Sequence, residues 1–162
     1  MQPIDSNSTL FLLLDITRIL RSQFERKVQE AALGITPGEA RTLTNIARFG
    51  PLNQNELSDL TGFGAMSAGR VLKNLEAAGL VSRNTDPNDR RAKIVQVTQK
   101  AAPLLTTLKD VGDEVDAVTR GDMSNEDWTS LQSMLQTVRE THLTAYRKAR
   151  SRRDVGINLR AL

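Results

Sequence analysis

The side chains with the most distinctive chemistry in this sequence are arginines at two separate places. Arg70 stands between Ala68 and Val71 in a segment whose apolar spacing predicts a helix, so its side chain is expected to point outward. A guanidinium there can bind O6 and N7 of guanine through two parallel hydrogen bonds, but it can also pair with a phosphate or stay solvated. Arg90 and Arg91 occur in a polar, turn-rich stretch, where they could enter a narrow DNA groove or only keep a loop soluble.

Residue types suited to catalysis or metal binding are scarce. The absence of cysteine excludes disulfides, zinc–thiolate sites and thiol redox sensing. His142 is the single histidine and shares an apolar stripe with Val138, which favours a packing or interface role, although its protonation could still modulate an interface. The sequence contains no phosphate-binding loop, HExxH motif or Gly-x-Ser-x-Gly motif. We therefore predict a protein without enzymatic activity, metal or cofactor.

Capping signals predict that Arg70 lies in a helix-turn-helix. Thr36 and Glu39 form a capping-box pattern that begins one helix, and Asn53 and Glu56 repeat the pattern for a short second helix. A third helix is expected over residues 65–78, with Arg70 on its outward face. Periodicity then changes to that of strands at residues 80–83 and 94–97, which are separated by the stretch that contains Arg90 and Arg91. Two strands with a long polar tip after a helix-turn-helix form a wing, and a short strand beside Leu52 could complete a three-stranded sheet.

The segments on either side of this unit are predicted to be long helices with narrow apolar faces. The first 30 or so residues carry apolar side chains three and four positions apart. After residue 98, heptad spacing appears in two stripes: Leu104, Leu108, Val111, Val115, Val118, and then Trp128, Leu131, Leu135, Val138, His142. Such helices need each other, the first helix and a second subunit to bury these faces.

These signals together predict a mainly α fold with a small β wing. We assign residues 36–98 to a winged helix-turn-helix and residues 1–35 and 99–150 to dimerisation helices, followed by a basic tail at 151–162. The basic residues from Arg147 onward are either a solvated helix end or an additional arm that contacts phosphates or a partner.

Composition sets broad limits on the function. With 39% hydrophobic and 25% charged residues the chain can form a core, and its net charge of +3 is weak support for a nucleic-acid partner. The longest apolar run, Leu10 to Leu14, is far shorter than the roughly 20 residues of a membrane span. The chain also lacks a basic secretory start. We expect a soluble, cytoplasmic protein of a bacterium or archaeon that is associated with the nucleoid and not with a membrane.

Residues 52–81, 86–93 and 97–100 resemble MarR-type regulators, and residues 90–104 are most similar to the SlyA branch of that family. Asp89 and Arg91 match the Asp-x-Arg pattern of the family wing, and the clear resemblance covers about residues 36–105. The start of the third helix departs from the family, because Gly64-Ala65-Met66 replaces a Ser-Pro type of cap. The resemblance implies a homodimer with interlocked terminal helices, a 65–78 helix in the major groove and a wing tip in the minor groove.

The predicted function is therefore a homodimeric, sequence-specific regulator of transcription, in this family usually a repressor, on a pseudo-palindromic operator of double-stranded DNA. The predicted DNA-contacting residues are Asn53, Gln54, Ala65, Met66, Ser67, Arg70, Lys73, Asp89, Arg90, Arg91 and Lys93.

The resemblance further implies a small aromatic or anionic effector, bound near the first helix and the 36–49 helix. Arg18, Arg21 and Thr42 are the candidates for its polar lining, and the effector would favour a dimer with mis-spaced recognition helices. Two alternatives remain open at this point. The chain could be an architectural or counter-silencing DNA-binding protein without an effector, or a winged helix used for protein contacts.

Overall fold

The computed structural model describes residues 5–86 and 92–151, and the bounds of its elements follow the local signals in the sequence. Within these residues the chain forms, in order, α1 (Thr9–Glu30), α2 (Pro37–Phe49), β1 (Leu52–Asn53), α3 (Gln54–Thr61), α4 (Ala65–Ala77), β2 (Val81–Thr85), β3 (Lys93–Val97), α5 (Ala102–Arg120) and α6 (Asn125–Ser151). A 3₁₀ turn at Gln99–Ala101 leads into α5. This is the predicted mainly α fold with a small β wing.

Both predicted capping boxes are present, and they fix where α2 and α3 begin. The backbone N–H of Glu39 donates to Oγ1 of Thr36 at 3.2 Å, and the N–H of Thr36 donates to Oε2 of Glu39 at 2.8 Å. In the same way Oδ1 of Asn53 accepts from the N–H of Glu56 at 3.0 Å, and Glu56 accepts from the N–H of Asn53 at 2.7 Å. Each cap satisfies backbone donors that the helix leaves unpaired, which typically contributes about 1 kcal/mol.

The helix-turn-helix turn depends on a residue with a positive φ. Gly62 ends α3 with φ of 69° and ψ of 16°, the left-handed conformation that glycine adopts without steric cost. Its N–H donates to the carbonyl of Ser58 at 2.9 Å, and Gly64 then begins α4 in an extended conformation. The turn is therefore short, as the sequence predicts.

The strands form one antiparallel sheet in the order β1-β3-β2, so the short strand at Leu52 does complete a three-stranded sheet. Leu52 pairs with Val95, and Val81 pairs with Val97. β2 begins at Val81 and not at Leu80, because the N–H of Leu80 donates to the carbonyl of Leu75 at the end of α4.

A single cluster of buried aliphatic side chains holds the helix-turn-helix, the sheet and parts of α1 and α5 together. Its fully buried members include Leu43 and Ile46 of α2, Leu57 of α3, and Leu72 and Leu75 of α4. Val28 of α1 and Leu108 and Val111 of α5 belong to the same cluster. α1 and α5 therefore share one core with the helix-turn-helix of their own chain.

This core changes the expectation for the first heptad stripe. Leu108, Val111 and Val115 are buried, and α5 packs against α1 and α2 of the same chain. Val111 retains 6% of its accessible surface, whereas Val118 at the end of the stripe retains 62%. The buried part of the stripe thus packs against α1 and α2 of the same chain, and it is not available to a second subunit.

The first half of α1 and the length of α6 carry the apolar surface that the single chain leaves uncovered. The exposed large apolar residues there are Leu10, Phe11, Leu12, Leu14, Ile16, Ile19, Met134, Leu135 and Val138. Within residues 5–86 and 92–151, α6 makes no extensive contact with another element, and His142 is exposed while Leu143 beside it is buried. None of the described helices combines the length and apolar character needed to cross a membrane.

Candidate nucleic-acid interface

The outward face of α4 presents the predicted recognition residues to solvent. Its inward residues Ala68, Leu72 and Leu75 are buried, so the helix cannot rotate without exposing them. The opposite face carries the exposed residues Ala65, Met66, Ser67, Arg70 and Lys73. Met66 is 90% exposed, which is unusual for a large apolar side chain and leaves it free to contact another molecule.

The cations of this face have no acidic partners. Among the residues that the structure describes, neither Arg70 nor Lys73 forms an ion pair or a hydrogen bond with a side chain. The first turn of α4 also lacks a side-chain cap at Gly64, so its free N–H groups and the positive end of the helix dipole face the same side as Ser67. An anion would find both charge and hydrogen-bond donors at this face.

Asn53 and Gln54, predicted to contact DNA, have their side chains engaged within the protein. Oδ1 of Asn53 caps α3, as described above. Nε2 of Gln54 donates to the carbonyl of Ala65 at 3.1 Å, and a Cβ added at Gly69 would lie 3.3 Å from the same nitrogen. Both side chains therefore support α3 and α4, and the absence of a side chain at Gly69 lets Gln54 lie against the recognition helix.

A polar contact between α2 and α4 escaped the sequence analysis. Nδ2 of Asn74 donates to Oε1 of Glu39 at 2.9 Å, although the two residues are 35 positions apart. Burial raises the pKa of the Glu39 carboxyl, but hydrogen bonds from the Thr36 backbone, the Asn74 side chain and the Thr36 side chain lower it, and the net pKa lies below its ordinary value. Glu39 is thus a buried carboxylate that caps α2 and also holds α4.

Arg41 forms a second contact that the sequence analysis missed. Its Nη1 lies 3.0 Å from Oε1 of Glu25 in α1, and its Cζ lies 4.5 Å from the centroid of the Phe63 ring, directly before α4. Only 17% of the Arg41 side chain is exposed. The available signal was a charged residue between Ala40 and Thr42 on the inward side of a predicted helix, a position that demands a specific partner.

Comparison with known proteins agrees with this architecture. Residues 33–92 match the sequence model of the MarR family. The structure is similar to that of MarR, with a TM-score of 0.73 and 22% identity over 91% of this chain and 99% of that one. A MarR transcriptional regulator from Methanosarcina mazei Go1 gives a TM-score of 0.69 with 22% identity, covering 83% of this chain and 95% of that chain. The regulator SlyA gives 0.67 with 20% identity, covering 88% and 99%.

The match to the MarR family model spans α2, α3, α4 and β2 and ends before β3. The chain accordingly has the winged helix fold seen in the structures of MarR and SlyA.

The wing of this protein is described up to its base. Asp89, Arg90 and Arg91 lie outside the described residues, so their predicted roles stay predictions. Lys93 is exposed at the start of β3, and its Nζ donates to Oγ1 of Thr85 at 2.8 Å on the paired strand. Two positions before Thr85 in β2, Nε of Arg83 lies 3.1 Å from Oε2 of Glu76, which ties the wing to the end of α4.

The three candidate effector-binding residues occupy different environments. Arg18 is exposed and pairs with the exposed Asp15 of its own helix at 3.3 Å. Arg21 is exposed and lies close enough to Arg41 to lower the pKa of that guanidinium, an effect smaller than that of burial and opposed by Glu25. Thr42 is only 2% exposed, and its hydroxyl donates to the carbonyl of Gly38 at 2.8 Å. Thr42 is thus buried in the core and its hydroxyl proton is already donated to Gly38, whereas the side chain of the neighbouring Arg41 is partly exposed.

Proposed function

We propose that this chain is a transcriptional regulator of the MarR type, a homodimeric repressor that binds a specific, pseudo-palindromic site in double-stranded DNA. The observation that carries the proposal is the outward face of α4, where Ser67, Arg70 and Lys73 are exposed beside an uncapped helix start and have no acidic partner among the described residues. A variant of MepR from S. aureus, solved with an oligodeoxyribonucleotide, shares this fold with a TM-score of 0.50 and 20% identity over 83% of this chain.

In the proposed complex α4 lies in the major groove. Arg70 would bind O6 and N7 of a guanine, because a guanidinium presents two parallel donors that match those acceptors. Met66, one turn earlier on the same face, has no polar group and would contact the methyl group of a thymine. Ser67 and the free N–H groups at the helix start would bind a phosphate or a base edge, and Lys73 would neutralise a phosphate.

The wing would read the shape of the adjacent minor groove. Arg91, held extended by Asp89, would enter a narrow groove of enhanced negative potential, while Arg90 and Lys93 would contact phosphates along its edge. Lys93 at the wing base is suited to this role because it is exposed and pairs only with the neutral hydroxyl of Thr85 in the described chain.

The proposed partner in the dimer is a second copy of this chain. Large apolar residues stay exposed along α1 and α6, such as Leu14, Leu135 and Val138, and contiguous apolar surface of this kind is typical of a protein–protein interface. α6 lacks extensive contacts within the described chain, and an isolated helix with a narrow apolar face is not stable in water. Interlocking these helices with those of a second copy would bury both faces and place two α4 helices about one DNA turn apart.

The proposed effector is a small aromatic or other anionic compound that binds beside α1. The supporting feature is a concentration of positive charge, because Arg21 lies close enough to Arg41 to lower the pKa of its guanidinium, and the salt bridge that Arg41 makes is to Glu25. BpsR of Bordetella bronchiseptica, whose DNA binding is regulated by 6-hydroxynicotinic acid, has this fold with a TM-score of 0.63 and 17% identity. Arg18 would extend this cationic surface, and Arg41 would take the place that the sequence analysis gave to Thr42.

Footprinting of the purified protein on the DNA upstream of its own gene tests the proposal most directly. We expect protection with dyad character, half-sites about 10 bp apart and affinity that falls steeply with salt. Binding that is equally tight on scrambled DNA, or protection without a dyad, would contradict a sequence-specific dimer. Operator affinity unchanged by aromatic carboxylates would instead favour an architectural or counter-silencing role without an effector.

A further inference from the structure

The guanidinium of Arg41 connects three parts of the chain through a salt bridge and an aromatic contact. Arg41 lies in α2, its charge partner Glu25 lies in α1, and the ring of Phe63 on which it stacks lies in the turn between α3 and α4. α1 is one of the helices proposed to form the dimer, whereas α4 is the helix proposed to read DNA. Arg41 therefore links the position of α1 to the position of the start of α4.

Burial of the charged Arg41 side chain costs free energy, so the contacts that compensate this cost must be specific. Burial and the nearby Arg21 lower the pKa of Arg41, Glu25 opposes them, and within the described chain the buried Nε has no hydrogen-bond partner. A single, half-exposed carboxylate compensates only part of the desolvation of a guanidinium. The Phe63 ring, whose centroid lies 4.5 Å from Cζ of Arg41, adds a cation–π interaction, and a lysine lacks the planar group that lies over the ring.

Phe63 in turn fixes the start of α4. It directly precedes Gly64, the N-cap residue of α4, and its own N–H donates to Oγ1 of Thr61 at 3.4 Å. On the side of α2, a Cβ added at Gly38 would lie 3.2 Å from Cζ of Phe63, so the ring packs against the backbone of the first turn of α2. The ring therefore contacts both the backbone at Gly38 and the guanidinium of Arg41, and any movement of Arg41 must be followed by the ring or open a gap beside it.

We propose that Arg41 is a positioning residue for the recognition helix, which acts through Phe63 and is itself held by Glu25. The contact chain Glu25–Arg41–Phe63 would set the position of the first turn of α4, where Met66 and Ser67 lie. An anion that binds Arg21 and Arg41 would compete with Glu25 and disturb this chain, which gives a physical route from an effector beside α1 to the DNA-reading face. This inference rests on the proposed function for its DNA-binding consequences only.

A double-mutant cycle between Arg41 and Phe63 tests the inference on operator DNA. Arg41→Lys keeps the charge facing Glu25 but loses the flat contact, and Phe63→Leu keeps an apolar side chain but loses the π face. Each single variant should weaken operator binding about fivefold, which corresponds to roughly 1 kcal/mol. The double variant should also lose about fivefold, because both changes remove the same interaction. Losses that multiply to about 25-fold would overturn the inference, as would equal losses on scrambled DNA.

Hydrogen exchange of the free dimer supplies a measurement that needs no DNA. Arg41→Lys, Phe63→Leu and the milder Glu25→Gln should each speed amide exchange in the peptide covering residues 62–70, with the exchange of α5 unchanged. The matched control is Lys27→Met, which breaks the partly buried Lys27–Glu114 ion pair between α1 and α5 and should leave residues 62–70 unaffected. Unchanged exchange in all three variants, or the same acceleration in the control, would refute a positioning role. Altered exchange in a protein that binds no operator would instead refute the proposed function and leave the positioning role standing.

Discussion

The outward face of α4 and the junction of α1, α2 and α5 use the same residue types in opposite ways. Arg70 and Lys73 on α4 are exposed and have no acidic partner in the described chain, while Arg41 and Lys27 at the junction are largely buried and paired with Glu25 and Glu114. Unpaired surface cations cost the fold little and remain available to an external anion, whereas buried cations must be paired. The burial and pairing of each cation, and not its residue type, therefore distinguish the outward face of α4 from the junction of α1, α2 and α5.

The largest expected effect comes from a charge placed inside the junction. Val111→Asp would put a carboxylate without a partner in the shared core, at a cost of several kcal/mol against a typical total stability of about 5–15 kcal/mol. We expect the variant to lose its helical circular dichroism at 25 °C. Val118→Asp, on the same helix at an exposed position, is the control and should remain folded. A folded Val111→Asp protein would contradict the placement of α5 in the core.

A charge on α6 should separate the subunits without unfolding the helix-turn-helix. Leu135→Glu places a carboxylate in the apolar face proposed for the dimer, so sedimentation at micromolar concentration should reveal monomers. Gln136→Glu adds the same charge on the polar face of α6, beside Ser133 and Glu140, and should stay dimeric. If both variants sediment as dimers, the α6 face is not the interface.

Removal of the α4 cation should reduce discrimination between DNA sequences. Arg70→Ala is expected to cost about 1–3 kcal/mol on operator DNA and much less on scrambled DNA, because a base contact contributes only on the correct sequence. The control Arg48→Ala removes an exposed arginine whose guanidinium stacks on its neighbour Phe49 in α2. The affinities of both variants for operator and scrambled DNA are measured by titration. If Arg70→Ala loses as much affinity for scrambled DNA as for operator DNA, Arg70 contacts phosphates and not a base.

A smaller effect should identify what Met66 contacts. Replacing operator thymines one at a time by deoxyuridine removes only the 5-methyl group, so one position in each half-site should weaken wild-type binding by less than about 1 kcal/mol. Met66→Ala should lose about as much affinity and become insensitive to that replacement. A Met66→Ala protein that still responds to the missing methyl group would show that another residue makes this contact.

The smallest expected effect concerns the polar link between α2 and α4. The pKa of Glu39 is lower in the folded chain than its ordinary value of 4.5, so its charged form contributes stability above that pH and loses the contribution as pH falls through the lowered folded pKa. Glu39→Gln should therefore be slightly less stable than wild type near pH 7, and its unfolding midpoint should vary less with pH below about 5. Parallel curves for the two proteins in urea across that pH range would be inconsistent with this assignment.

Short-range signals in the sequence were sufficient to locate the helices, the turn and the strands. Thr36 with Glu39 and Asn53 with Glu56 cap their own helices, and Gly62 supplies a positive φ, so each of these signals acts within four residues. The alternation of Ala68, Leu72 and Leu75 with Arg70 likewise determined which side of α4 faces outward. Interactions that span a single helical turn are the same whatever the chain packs against, which is why they could be predicted.

The sequence did not determine which apolar stripe packs within the chain, because a heptad pattern specifies an apolar face and not its partner. Only packing assigned Leu108 and Val111 to a core shared with α1, and left Leu135 and Val138 exposed. Tertiary contacts also placed Thr42 in the core and brought Arg41 between Glu25 and Phe63, residues separated from it by 16 and 22 positions. Such contacts depend on how whole helices cross, and side-chain spacing along one helix does not determine that geometry.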